Sequence, residues 1–135
     1  YMFKDIVRWT RKLDISFKMN PYFPFLTVPH MRGAVLAQKN NILEKYMEAM
    51  FESIWTKAMN LNDQELLTQV ATQSGMDANT FADGISSDEI KNQLRENTEF
   101  AINKGAFGVP TFYSDDEMFW GIDSMKFLVE YLKSN

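Results

Sequence analysis

Cysteine is absent from the 135 residues, which excludes a disulfide, a thiolate nucleophile and a sulfur-ligated metal within this chain. Histidine occurs once, as His30, and one imidazole cannot build a zinc centre by itself. No metal site is therefore expected, and any thiol chemistry has to use a thiol brought by a ligand or residues outside this chain. Basic residues are outnumbered, 14 Lys and Arg against 18 Asp and Glu, for a formal charge of −4. They are also scattered, so the footprint of a nucleic-acid binder is missing. No apolar run approaches the length of a membrane span, and no signal-like segment precedes the first helix. The expectation is a soluble, cytoplasmic protein with neither nucleic acid nor membrane among its partners.

What is present suits a globular domain. Hydrophobic residues make up 45%, charged residues 24% and aromatic residues 14%, and a chain of this size buries roughly two thirds of the surface its unfolded form exposes. Apolar residues at Phe3, Ile6, Val7 and Leu13 follow helical spacing. Ile15, Phe17 and Met19 then alternate with polar residues, the period of a half-buried strand that Asn20-Pro21 ends. Pro21, Pro24 and Pro29 predict an irregular aromatic loop over Tyr22–His30. From Met31 to Met59 the helical period returns, softened at Asn40-Asn41, and its Met-rich stripe reads as core or as the face of a homodimer. Asn62 with Glu65, Asp77, and Ser86 with Glu89 mark further helix starts. A short helix is expected from Asp77 to about Ala82, and the last of this block ends at Lys104 with Gly105 as its cap.

Gly105–Asp123 reads G-A-F-G-V-P-T-F-Y-S-D-D-E-M-F-W-G-I-D. Phe107–Tyr113 and Met118–Trp120 are expected as the strands of a hairpin turned by Ser114–Glu117, and Ser124–Lys133 as a helix burying Met125, Leu128, Val129 and Leu132. Proline has no N–H to give to a ladder. Val109-Pro110 therefore marks either the first step of an edge strand or a backbone left open to the main chain of a peptide-like ligand. The order divides the chain into residues 1–30, a helical block 31–104, and residues 105–135.

G-A-F-G-V-P-T-F followed by M-F-W-G-I-D-S-M resembles the C-terminal signature of the 2-hydroxychromene-2-carboxylate isomerases, relatives of kappa-class glutathione transferases. D-I-V-R-W-T-R-K-L-D-I-S-F-K-M-N-P-Y-F-P and H-M-R-G-A resemble other segments of that family, so the likeness spans nearly the whole chain. It implies an α/β, thioredoxin-like (DsbA-like) fold with a large helical insertion, and an N-terminal βα unit that is absent from this chain. The family's serine, which contacts the glutathione sulfur, is expected upstream of Tyr1, so no catalytic residue is assigned here.

The resemblance further implies glutathione as cofactor and a small aromatic substrate from aromatic-compound degradation, isomerised through a reversible glutathione adduct. Val109 and Pro110 would receive the cysteine moiety of glutathione. Asp123 and the backbone of Ile122 would hold its γ-glutamyl end, although Asp123 also reads as a simple N-cap. Asn20, Arg32 and Trp120 are the candidates for contact with substrate, and Asn20 and Arg32 could reach a carboxylate either of the substrate or of glutathione, Arg32 through its bidentate fork. His30 reads as an ordinary loop-to-helix residue. Two departures stand out: Leu26 occupies a place where these isomerases often carry asparagine, and Ile122 one where kappa enzymes tend to have serine. The alternatives are a kappa-class-like glutathione transferase, a DsbA-like thiol-disulfide oxidoreductase with its cysteines elsewhere, and a non-catalytic protein of the same fold.

Overall fold

The computed structural model describes residues Met2–Ser134. Seven α-helices and one two-stranded antiparallel sheet are found among them, and the chain divides into two compact units, Tyr1–Leu94 and Arg95–Asn135.

The first unit opens with α1 (Met2–Lys12), amphipathic as its spacing requires, and a turn in which Asp14 takes a positive φ of 53°. Ile15–Asn20 has no regular secondary structure and belongs to no sheet, which corrects the expected strand. Alternation predicts an extended backbone, while a strand also needs a neighbour with which to pair. Here the polar groups of the segment go to the end of a helix instead. Lys18 N–H donates to Trp55 O at 2.6 Å, and Thr56 Oγ1 donates to Ser16 O at 3.1 Å.

Helix α2 (Val28–Lys39) begins three residues before the expected Met31, inside the supposed aromatic loop. Pro29 does not prevent this, because a proline at a helix start gives up an N–H that has no helical partner anyway. The softened period at Asn40-Asn41 is a full break: Asn41 has φ 58°, and α3 (Leu43–Trp55) starts afresh. Helix α4 (Gln64–Gln73) is capped by Asp63, which accepts from Glu65 N–H and Leu66 N–H, while the expected cap Asn62 is one residue too early. Asp77 caps α5 (Ala78–Ser86) as its sequence predicts, and that helix runs four residues beyond Ala82. Helix α6 (Asp88–Asn103) is capped through Ser87 Oγ, which accepts from Ile90 N–H.

Packing follows the apolar stripes. Tyr46, Met50, Leu61, Leu67, Val70, Phe81, Ile85 and Ile90 form the buried core of the first unit. Gly33 sits where α2 meets this core: a Cβ there would run into the Tyr46 hydroxyl and come within 2.8 Å of the Phe81 ring.

In the second unit α6 ends in a turn at Gly105, whose φ of 91° is easy only for glycine. Strands β1 (Thr111–Ser114) and β2 (Glu117–Trp120) pair with Thr111 opposite Trp120 and Ser114 opposite Glu117. Phe107–Pro110, expected as strand, stays outside the ladder. A short 3-10 helix, Ile122–Ser124, leads into α7 (Met125–Ser134). Of the four residues expected to be buried by α7 only Leu128 is partly covered, whereas Met125, Val129 and Leu132 are exposed. A two-stranded sheet is too small to cover more than one side of the helix, and Tyr131 supplies that contact by packing on Phe119 at 5.7 Å.

Candidate functional site

The open end of the hairpin gathers most of the residues singled out in sequence. Gly121 N–H donates to Pro110 O at 2.9 Å, one step beyond the β1–β2 ladder. Past this bond the two chains separate side by side, Val109 on one and Ile122-Asp123 on the other. Val109 is 91% exposed, and its backbone N–H and C=O make no hydrogen bond among the described residues. The Val109-Pro110 peptide is cis. An exposed residue whose backbone N–H and C=O are both unpaired is open to an incoming peptide backbone.

Asp123 does not act as a helix N-cap. It lies within the 3-10 helix, whose N-cap is Gly121 with φ 77°. The hydroxyl of Ser124 takes the nearby carbonyls of Trp120 and Gly121. The Asp123 carboxylate thus has no partner among the described residues and faces solvent. Beside it, the N–H groups of Ile122 and Asp123 precede any helical acceptor. A free carboxylate adjoining free N–H groups suits a ligand group bearing both an ammonium and a carboxylate.

Trp120 closes the same end. Its ring lies 5.0 Å from that of Phe107, and its Nε1 would come within 2.7 Å of a Cβ at Gly108. Glycine at 108 is what lets the indole lie against the chain just before Val109, and about half of Trp120 remains exposed.

The family pattern of the DSBA-like thioredoxin domain matches residues 1–133. The chain belongs to this family. The 2-hydroxychromene-2-carboxylate isomerase of Sphingobium xenophagum is 29% identical over 97% of this chain and 66% of its own length. Its counterpart from Pseudomonas sp. (strain C18) is 30% identical over 96% of this chain and 60% of its own. Human glutathione S-transferase kappa 1 is 27% identical over 98% of this chain and 65% of its own. A solved structure of a 2-hydroxychromene-2-carboxylate isomerase superposes with a TM-score of 0.86 at 25% identity, covering 99% of this chain and 65% of that one. The chain therefore spans about two thirds of the length of the relatives it matches.

The first unit of this DsbA-like chain treats its two candidates differently. Asn20 is 2% exposed. Its Nδ2 donates to Ile54 O and Met59 O, both at 2.9 Å, and its Oδ1 accepts from Tyr22 N–H at 2.9 Å. An amide has two N–H donors, and both are spent here on the backbone of the last turn of α3 and of the loop that follows it. Asn20 is a clamp for that backbone, and its assignment to substrate is withdrawn. Arg32 is different: it lines a cavity, and its Nε is shielded from solvent with no acceptor among the described residues. Asn62, freed from the capping role, holds the exposed Leu26 in place by accepting its N–H at 3.1 Å.

His30 is buried in the first turn of α2, near Phe25, with neither ring nitrogen hydrogen-bonded among the described residues. Burial pushes its pKa below the ordinary value, and the Leu26 backbone pushes the other way. A larger hollow of about 560 Å³ is walled by Ile6, Ile15, Phe17, Phe51 and Trp55, and neither Asn20 nor Arg32 lines it. Part of its wall is the irregular run after α1, which alternation alone reads as a strand. No cluster of His, Asp or Glu suited to a metal ion occurs among the described residues, and no helix there is long and apolar enough to cross a membrane.

Proposed function

We propose that this chain serves a glutathione-dependent isomerase of 2-hydroxychromene-2-carboxylate type, acting on a small aromatic substrate. The observation that carries the reading is the unpaired, exposed backbone of Val109 beside the unpaired carboxylate of Asp123, at one end of one hairpin. The relatives named as isomerases and as a kappa-class glutathione transferase make glutathione the peptide to try there.

In this reading Val109 N–H and C=O take the cysteine moiety of glutathione as an added strand would. Pro110 keeps its own nitrogen out of that pairing. Asp123 pairs with the ammonium of the γ-glutamyl group, and the open N–H groups of Ile122 and Asp123 receive its carboxylate. Ile122 contributes through its backbone alone. Bound in this way, glutathione supplies a thiolate that adds reversibly to a conjugated double bond, leaving a single bond free to rotate before the same thiolate departs. The chain's part is to fix the tripeptide in one orientation, which lowers the entropic cost of the encounter. Trp120 offers the aromatic substrate a flat, half-exposed face.

Calorimetric titration of the chain with reduced glutathione tests the reading. Saturable binding at millimolar concentration or below is expected, and no heat of binding at that concentration overturns it. The kappa-class likeness keeps a transferase as the second reading. The two differ in stoichiometry: an isomerase returns its glutathione after each turnover, whereas a transferase consumes one per product.

A further inference from the structure

We propose that the face formed by α1 and α3 in the first unit docks a second copy of this chain, with α1 of each copy lying antiparallel on α3 of the other. Both helices carry an apolar stripe with a charged rail beside it. On α3 the stripe is the partly covered Leu43 with the exposed Met47 and Phe51, and the rail is Glu44, Glu48 and Glu52, all exposed. On α1 the stripe is the exposed Phe3 and Val7, and the rail is Lys4, Arg8 and Lys12, all exposed. Each rail repeats every fourth residue, so both span about 12 Å. Three bases can therefore face three acids at once.

Charge decides which face meets which. Glutamates four residues apart on a helix repel one another, and α3 stacks three of them. Lys45, the one base on that helix, joins no ion pair among the described residues, and neither Glu44 nor Glu48 does so, while Glu52 has Lys57 at 3.1 Å. On the basic rail Lys4 and Lys12 join no ion pair there either. Two rails of opposite sign and equal spacing, neither neutralised within one copy, are complementary between copies. Such flanking charges select the partner and its direction in paired helices.

The order of residues sets the geometry. In both helices the rail follows the stripe by one residue, so it lies on the same hand of it. Facing helices bring like-handed flanks together only when they run antiparallel, which sets Lys4 against Glu52, Arg8 against Glu48 and Lys12 against Glu44. The same alignment lays Phe3 on Phe51 and Val7 on Met47. Within one copy Phe3 and Phe51 line the same hollow, with the exposed Ile15, Met19 and Phe23 around them. The contact is thus reciprocal about a two-fold axis beside that hollow, where two phenylalanine rings from each copy converge. An apolar patch rimmed by charge marks an association surface. The Met-rich stripe is shared out accordingly: Met50 is buried in the core, and Met47 is left for the partner. All these residues belong to the first unit and none is assigned to glutathione, so the proposal is independent of that reading.

Sedimentation velocity from micromolar to sub-millimolar protein should show a reversible monomer–dimer equilibrium, ending at twice the 15.7 kDa of one chain. Arg8→Glu and Glu48→Lys each put two like-charged pairs into the dimer, and each should raise its dissociation constant roughly tenfold or more. They change the net charge in opposite directions, so a common effect is not one of net charge. An equimolar mixture of the two variants should dimerise as the parent protein does, because each copy then meets an opposite charge at both contacts. Phe51→Ser should weaken the dimer through the apolar stripe. If circular dichroism shows that a charge variant does not fold, Lys12→Glu and Glu44→Lys repeat the test at the neighbouring pair. The proposal is overturned by a monomer at every concentration, by growth past the dimer, by a dimer that either reversal leaves unchanged, or by a mixture that associates no better than the single variants.

Discussion

The Tyr46 hydroxyl donates to the His30 carbonyl at 2.9 Å within the core and thereby fastens the first turn of α3 to the first turn of α2. Burial pushes the Tyr46 pKa further above its ordinary value, so the hydroxyl stays a donor throughout the physiological range. Gly33, one turn along α2, supplies the room in which the Tyr46 and Phe81 rings meet, with centroids 6.3 Å apart.

Tyr46→Phe keeps the ring and removes the donor. Loss of one buried hydrogen bond should cost about 0.5–1.5 kcal/mol, read as a lower denaturant midpoint at unchanged slope. A midpoint equal to that of the parent protein would mean that the bond contributes nothing to holding the two helices together.

Asn20→Ala removes three hydrogen bonds and leaves the carbonyls of Ile54 and Met59 without this donor. A loss of about 2–4 kcal/mol is expected, with glutathione affinity of the folded protein unchanged. The opposite pattern, normal stability with weakened ligand binding, would restore Asn20 to the binding site.

His30 ties stability to pH. Its folded pKa lies below the ordinary value of 6.5, so between the two values the unfolded chain binds more protons than the folded one. Its contribution to stability is present above about pH 6.5 and is lost as pH falls toward the folded value, with a slope of at most about 1.4 kcal/mol per pH unit. Asp77, held below its ordinary value of 3.8 mainly by Thr80 N–H, loses its contribution only at lower pH, so the two windows are distinct. Denaturation midpoints from pH 7.5 to 5.5 should fall for the parent protein and stay flatter for His30→Gln, because the chain has no other histidine. Parallel curves for the two proteins would rule out this role.

Asp123→Asn should weaken glutathione by roughly tenfold, the scale of one charge-assisted hydrogen bond. Stability should hold to within about 0.5 kcal/mol, as expected of an exposed side chain with no partner. Calorimetry and chemical denaturation on the same sample check both halves, and an unchanged affinity would remove Asp123 from the γ-glutamyl site.

The sequence by itself determined what is governed by neighbours along the chain. The apolar period set the helices, the side-chain oxygen of Asp77 and the freedom of Gly105 set two of their ends, and Ser114–Glu117 set the hairpin. The missing N–H of Pro110 marked the opening beside Val109. Tertiary structure decided whatever needed a partner from elsewhere. Ile15–Asn20 alternates like a strand, but its polar groups found the end of α3 in place of a second strand. Asn20 looks like a ligand residue until its amide is seen to be spent on Ile54 and Met59. Asp123 looks like a cap until Gly121 is seen to occupy that place. The cavity at Arg32 joins residues up to 60 positions apart in sequence, such as Leu26 and Ser86. Local preferences act over a few residues, whereas an acceptor, or the lack of one, is known only when distant segments have met.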